Sequence, residues 1–288
     1  MSKYLLCYPQ GGFTDQLSVM MRCYKYCERY NRTLLINTTK SSYGINLSDY
    51  LNFKTPDGDI NIICDINIIE NILNNNILSI YPKFDKSILT TMNMYYTIDG
   101  YKTSDTHELI VAPLDKNYTE DIILYAHCRI HDDYPIEMFN IMKLEKVVID
   151  EFENRLSKIP KPYTSIQVRN TDYQCDFKKL YNDNKEKIHN ISNLFIATDH
   201  PHVLQFFQSK RDVYNFTTFP TEVQLKTCPN LHYNIGIPSK TRILDTLCDL
   251  FIISHSQELL SVSIGSYIRL ARGLFNNKKI IYNLIKNK

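Results

Sequence analysis

Residues 3–37 constrain the fold of this chain more than any other stretch. Residues 3–8, Lys-Tyr-Leu-Leu-Cys-Tyr, have the apolar and aromatic character of a strand. Gly11-Gly12 forms a loop. Leu17, Met20, Met21, Tyr24 and Cys27 then recur at the spacing of one helical face, which predicts a helix over 15–30. Residues 32–37, Arg-Thr-Leu-Leu-Ile-Asn, supply the next strand. Strand, helix and strand in such close order make a βαβ opening, and that points to α/β architecture.

Further strands are expected at 60–64, 108–111 and 121–128, joined by Asn-rich connections. A helix is predicted over 138–156. It ends before Pro160 and Pro162, and a proline disfavours helical backbone in the residue before it. A boundary is expected there, giving an N-terminal domain of residues 1–158 and a C-terminal domain of residues 159–288. The second half alternates again: strand 164–169, helix 176–189, strand 194–198, helix 201–209, a strand near 213–216, helix 241–253, strand 258–262, helix 265–275 and strand 279–283. The expected fold class is α/β and GT-B-like, with two Rossmann-like domains facing across a cleft.

The totals exclude several classes. With 288 residues, 43% of them apolar and 22% charged, the chain can bury a full core. A net charge of +2 creates no field that would draw it to nucleic acid. Apolar runs such as 259–262 are far too short for a membrane span, and no signal-peptide pattern precedes the first strand. Eight cysteines at 7, 23, 27, 64, 128, 175, 228 and 248 form no Cys-x-x-Cys pair, and read as reduced thiols of a cytoplasmic protein. The sequons at Asn31, Asn37, Asn46, Asn117, Asn190 and Asn215 are chance matches in an Asn-rich chain. Asp57-Gly58-Asp59 has the spacing of an acidic divalent-cation motif, but it follows Pro56 in a turn-like stretch. His131-Asp132-Asp133 reads as a polar loop, and Cys23 with Cys27 lacks histidine partners, so no metal is expected.

The chemistry concentrates at strand ends. Arg169 finishes the strand containing Ile166 and Val168, and Thr171-Asp172 follow. Open α/β sheets present ligand-binding groups at such ends. A guanidinium suits phosphate because its fork is planar and always charged; a salt bridge to Asp172 is the alternative. Gly11-Gly12-Phe13-Thr14-Asp15-Gln16 offers close backbone approach and a helix N-terminus, or else a tight turn capped by Thr14 or Asp15. Leu194 to Asp199 is a buried-type strand whose Asp199 is expected to cap the next helix. Ser261-Val-Ser263-Ile-Gly265-Ser266 leads into a helix and can form an anion site or an ordinary serine cap.

In this order the segments resemble the fucosyltransferase superfamily, the α1,6-, α1,2- and protein O-fucosyltransferases. The family's Gly-rich turn, commonly G-G-L-G-N-Q, is similar to Gly11 to Gln16. Its H-V-R-R-x-D resembles Gln167-Val168-Arg169-Asn170-Thr171-Asp172. The L-A-T-D-D-P of the α1,6 branch resembles Ile196-Ala197-Thr198-Asp199-His200-Pro201. A helix with L-D-x-x-x-L-S and a final S-x-x-S are similar to Leu244-Asp245 or Asp249 with Ser254, and to Ser263-Ile-Gly265-Ser266. The departures are Gln167 for the family's histidine, Asn170 for its second arginine and Asp15 for its asparagine.

The resemblance implies inverting, metal-independent transfer of fucose from GDP-fucose to a glycan hydroxyl, with no cofactor. Arg169 would neutralise the departing diphosphate, and Asp176 or Asp172 would act as general base. Gly11, Gly12, Asp15, Gln167, Ser263, Gly265 and Ser266 would line the donor, with Asp245 or Asp249 on its base or ribose. Two alternatives accompany this reading: a GT-B transferase using another nucleotide sugar, and a non-catalytic nucleotide- or glycan-binding descendant of the fold. The partners implied are a nucleotide-sugar donor and a glycan acceptor.

Overall fold

A computed structural model describes residues 2–54, 61–74, 78–82, 94–97, 100–103, 109–110, 112–127, 135–171, 173–228 and 230–286. The chain divides into two compact units, Met1–Glu145 and Lys146–Lys288. The expected division at 158/159 falls one helix later.

The first unit opens with strand β1 (Tyr4–Pro9), helix α1 (Phe13–Tyr30) and strand β2 (Thr33–Ile36). Then come β3 (Leu51–Phe53), β4 (Ile62–Ile63), α2 (Ile66–Leu73), β5 (Ile80–Tyr81), β6 (Met94–Thr97), β7 (Gly100–Thr103), β8 (Leu109–Ile110), β9 (Ile122–His127) and β10 (Met142–Leu144). A parallel sheet runs β4-β2-β1-β9-β5. Its first strand is central, so the chain crosses over to build both sides. Leu6 and Tyr8 of β1 join Leu35, Ile69, Ile122 and Leu124 in one core layer. Helix α1 packs on β1 and β2. The expected helix 138–156 is divided: Pro135–Asn140 is a 3-10 turn, β10 pairs antiparallel with β3, and only the part from Lys146 onward is α-helical. A distant strand partner outweighs local helix propensity here.

The second unit begins with that helix, α3 (Lys146–Ser157). It continues with β11 (Thr164–Val168), α4 (Phe177–Asp183), α5 (Lys185–Asn190), β12 (Leu194–Thr198), α6 (Pro201–Gln208), α7 (Glu222–Thr227), α8 (Ser239–His255), β13 (Glu258–Ser261), α9 (Ser266–Asn276) and α10 (Lys278–Lys286). The parallel sheet β12-β11-β13 is extended at its β12 edge by a bridge from Tyr214 to Phe195, where a fuller strand was expected. One face buries Ile166, Val168 and Ile196 against Leu180, Tyr181, Ile188, Val203 and Phe207. Helix α8 covers the other face, and α3 packs on it with Phe152 edge-on to Phe251.

Two further expectations are corrected. The helix predicted over 176–189 is interrupted at Asn184, whose amide donates to the Leu180 carbonyl at 2.9 Å and competes with the helical ladder. Residues 279–283 form part of helix α10, not a strand. The helix buries Ile281 and Leu284, three apart. Among the described residues, no helix is long and apolar enough to cross a membrane.

Candidate functional site

The C-terminal edge of the second unit's parallel sheet collects most of the expected residues. Register pairing places Val168 beside Thr198, and Gln167 beside Ser261. The next residue of each strand therefore emerges at one edge: Arg169, Asp199 and, just past β13, Ser263 to Ser266. Arg169 is half-buried. Its guanidinium lies at Gly265, the N-cap of α9, where an added Cβ would stand 3.0 Å from Nη1. No side chain caps α9 at Gly265. The first amides of a helix have no intrahelical acceptor and carry its positive end. A guanidinium and a helix N-terminus thus converge, the combination that binds phosphate oxygens. Ser266 opens the first turn.

Hydrogen bonds fix this edge. Arg169 N–H donates to Ser263 Oγ at 2.9 Å, and Ser263 is buried. Ser263 N–H donates to Ser261 Oγ at 3.0 Å, and that hydroxyl donates to Gln167 Oε1 at 3.1 Å. Gln167, at the family's histidine position, is thereby tied to β13. Asp199 does not cap α6. His200 does, through Nδ1 accepting from His202 N–H at 3.3 Å. Asp199 instead accepts Asn170 N–H and the Thr171 hydroxyl, each at 2.7 Å. Cys175 is a member of the cluster that the sequence did not single out: its N–H donates to Asn170 Oδ1 at 3.3 Å, and its thiol reaches Ser263 Oγ at 3.5 Å. Asp176 is exposed and caps α4, accepting Lys179 N–H at 2.8 Å. Asp172 lies outside the described residues, as do Asp57-Gly58-Asp59 and His131-Asp132-Asp133.

Asp245 and Asp249 stand one turn apart on α8 and are both buried. Asp245 pairs with Arg155 Nη2 at 2.6 Å and accepts Thr218 N–H at 2.7 Å. Asp249 Oδ2 accepts the Thr217 hydroxyl at 2.8 Å, while Oδ1 is buried with no hydrogen-bond partner. Burial, then the neighbouring Asp245 charge, push the Asp249 carboxyl up to about 7. Arg155, which the sequence gave no reason to single out, also pairs with Glu151 at 2.6 Å.

In the first unit, Gly11 adopts φ 87°, which only glycine takes without penalty. Gln16 Nε2 donates to the Gly11 carbonyl at 3.0 Å and to Ser42 Oγ at 2.9 Å, and Ser42 Oγ donates to the same carbonyl at 2.6 Å. Neither Thr14 nor Asp15 caps α1. Gly12 is the N-cap, without a side-chain bond, and Asp15 sits half-buried in the first turn. The Thr14 hydroxyl is buried with no partner. Among the described residues, no three His, Cys, Asp or Glu side chains gather as a metal-holding group.

No protein-family model matches the sequence, and no curated protein matches it. Solved structures do. The NodZ α-1,6-fucosyltransferase co-crystallised with GDP is 15% identical, with a TM-score of 0.61 over 95% of this chain and 93% of that one. The fucosyltransferase NodZ from Bradyrhizobium gives 15% identity and a TM-score of 0.61 over 95% and 94%. POFUT1 in complex with GDP gives 8% identity and a TM-score of 0.56 over 96% of each chain. At such identities the likeness establishes the fold: this α/β chain shares the GT-B fold of these fucosyltransferases along nearly its whole length.

Proposed function

We propose that this chain is an inverting glycosyltransferase that moves fucose from GDP-fucose to a glycan hydroxyl. One observation carries the reading: the Arg169 guanidinium stands at the N-terminus of α9, on the C-terminal edge of a parallel sheet. The choice of GDP is supported by NodZ and POFUT1, which share the fold and were crystallised with GDP. We assign the donor to the second unit and the acceptor to the first, whose Gly11-Gly12 turn and uncapped α1 offer amides to a polar ligand.

In the reaction, the acceptor oxygen attacks the anomeric carbon from the face opposite the diphosphate. The bond from that carbon to the phosphate oxygen breaks, and its electron pair leaves with GDP. Arg169 and the α9 amides at Gly265 and Ser266 take up this charge, each such donor contributing roughly 3–4 kcal/mol in the transition state. The acceptor proton passes to a carboxylate, Asp172 or Asp176. Asp245 and Asp249 act on the nucleoside end through the 217–218 segment they hold. A reducing, cytoplasmic setting is supported by the described cysteines, which are free thiols and mostly buried.

A second reading, nucleotide binding without turnover, draws on Asp176: one of its oxygens is committed to capping α4. A thermal-shift panel of GDP, UDP, CDP and their sugars, followed by turnover of GDP-fucose, separates the readings. A GDP-selective rise is expected, with Arg169→Ala losing at least about a hundredfold in kcat/KM. A UDP- or CDP-selective response replaces the donor. Binding without turnover on any glycan favours the second reading. Near wild-type activity of Arg169→Ala removes the site.

A further inference from the structure

The three residues after β11 are held from both neighbouring strands. On the β13 side, Ser263 Oγ accepts Arg169 N–H at 2.9 Å. On the β12 side, Asp199 accepts Asn170 N–H through Oδ1 and the Thr171 hydroxyl through Oδ2, both at 2.7 Å. Beyond the last paired residues the sheet ladder gives these N–H groups no carbonyl, so side chains take its place. Ser263 is itself fixed through Ser261 to Gln167. It is 1% exposed, so its hydroxyl is spent inside the protein.

We infer that Asp199 and Ser263 are positioning residues: they clamp the backbone at 169–171, hold the Arg169 guanidinium at the N-terminus of α9, and so set diphosphate affinity without touching the diphosphate. The inference rests on the reading of Arg169 as the diphosphate ligand. It gives Ser263 and Asp199 a role different from phosphate ligand and helix cap. Arginine is long, and its tip amplifies any tilt of its own backbone; a misplacement of about 1 Å at a reacting group can cost a hundredfold. An anionic acceptor on each side of a turn is the stronger form of such a clamp. Here Asp199 supplies both of its oxygens on one side, and a buried hydroxyl serves on the other.

The test measures GDP affinity by calorimetry for Asp199→Asn and Ser263→Ala, each in the wild-type chain and in Arg169→Ala. Each change is expected to weaken GDP binding about tenfold in the wild type, the size of one hydrogen bond, and by less than about twofold when Arg169 is absent. Equal losses in both backgrounds, or no loss in the wild type, overturn the inference. Hydrogen exchange of the Arg169 and Asn170 amides in the ligand-free chain supplies an independent reading. Ser263→Ala should speed exchange at 169, and Asp199→Asn at 170, by about tenfold, with β1 amides unchanged. Unchanged exchange overturns the clamp whatever GDP does. If the wild type binds no GDP, the nucleotide reading falls, and the exchange rates alone decide the clamp. Should Asp199→Asn fail to fold, Thr171→Val removes one of its two partners and is expected to weaken GDP about threefold.

Discussion

Replacing Asp249 by asparagine should change how the stability of the second unit depends on pH. Asp249 lies on α8 with 6% of its surface exposed. Its Oδ2 accepts from Thr217, and Oδ1 is buried without a hydrogen-bond partner. The nearby charges are Asp245 on the same helix and Arg155 on α3, which Asp245 and Glu151 already engage. Burial and the Asp245 charge raise the carboxyl to about 7, against the pull of Thr217 and Arg155. In the unfolded chain it titrates near 4. The folded state therefore holds a proton that the unfolded state releases, and stability falls as pH rises through that window. At about 1.4 kcal/mol per pH unit, the loss between pH 5 and 7 is about 3 kcal/mol, or roughly 9 °C in Tm. Asparagine offers Thr217 the same acceptor and carries no titrating proton. Asp249→Asn should match the wild type at pH 5 and exceed it by about 3 kcal/mol at pH 8. Thermal melts followed by far-UV circular dichroism across that range give the difference curve. In that curve His200 and His255, whose burial lowers their pKa, cancel. A constant offset at every pH, or no difference at any, would refute the reasoning.

Two other perturbations test the neighbouring charges. Arg155→Ala leaves the buried Asp245 carboxylate without its cation and should destabilise the second unit by about 3–5 kcal/mol in urea titrations; a loss below about 1 kcal/mol would mean that the pair behaves as a surface pair. Gly265→Ala places a methyl 3.0 Å from Arg169 Nη1 at an ordinary φ of −70°. Tm should stay within about 3 °C while GDP affinity falls about tenfold, and unchanged affinity would show that the guanidinium does not bind there.

Much of the fold was legible because its signals are local. The strand and helix periods of β1, α1 and β2 lie within residues 4–36. The strand at 194–198 reads as an apolar run and that at 164–168 through its apolar positions Ile166 and Val168, and both are buried at every position. What failed depends on distant partners. β10 is a strand because β3 lies beside it. The site divides in the same way. Arg169 stood out because a charge ending an apolar strand is visible in the sequence. The roles of Asp199, Ser263 and Gln16 did not, because each is defined by a bond to a residue brought close only by folding. Asp199 looked like a helix cap because it precedes a proline-led helix. His200 provides the cap one residue later, leaving the carboxylate for the strand beside it.

Arg155 and Arg169 of the second unit occupy different kinds of position. Arg155 is set against Glu151 and Asp245, so its charge is compensated within the fold. Arg169 is set against the amide end of α9, which is itself positive. On the proposed reading, a diphosphate is the anion that this guanidinium and helix end bind together. Binding is favoured because the N–H groups already point at it and little reorganisation remains. The side chains around Arg169 fit the same logic. Ser263 and Asp199 accept from Arg169 N–H, Asn170 N–H and the Thr171 hydroxyl, and so fix the segment that carries the guanidinium. On that reading, the half-exposed position of Arg169 at the sheet edge leaves the guanidinium accessible to the diphosphate.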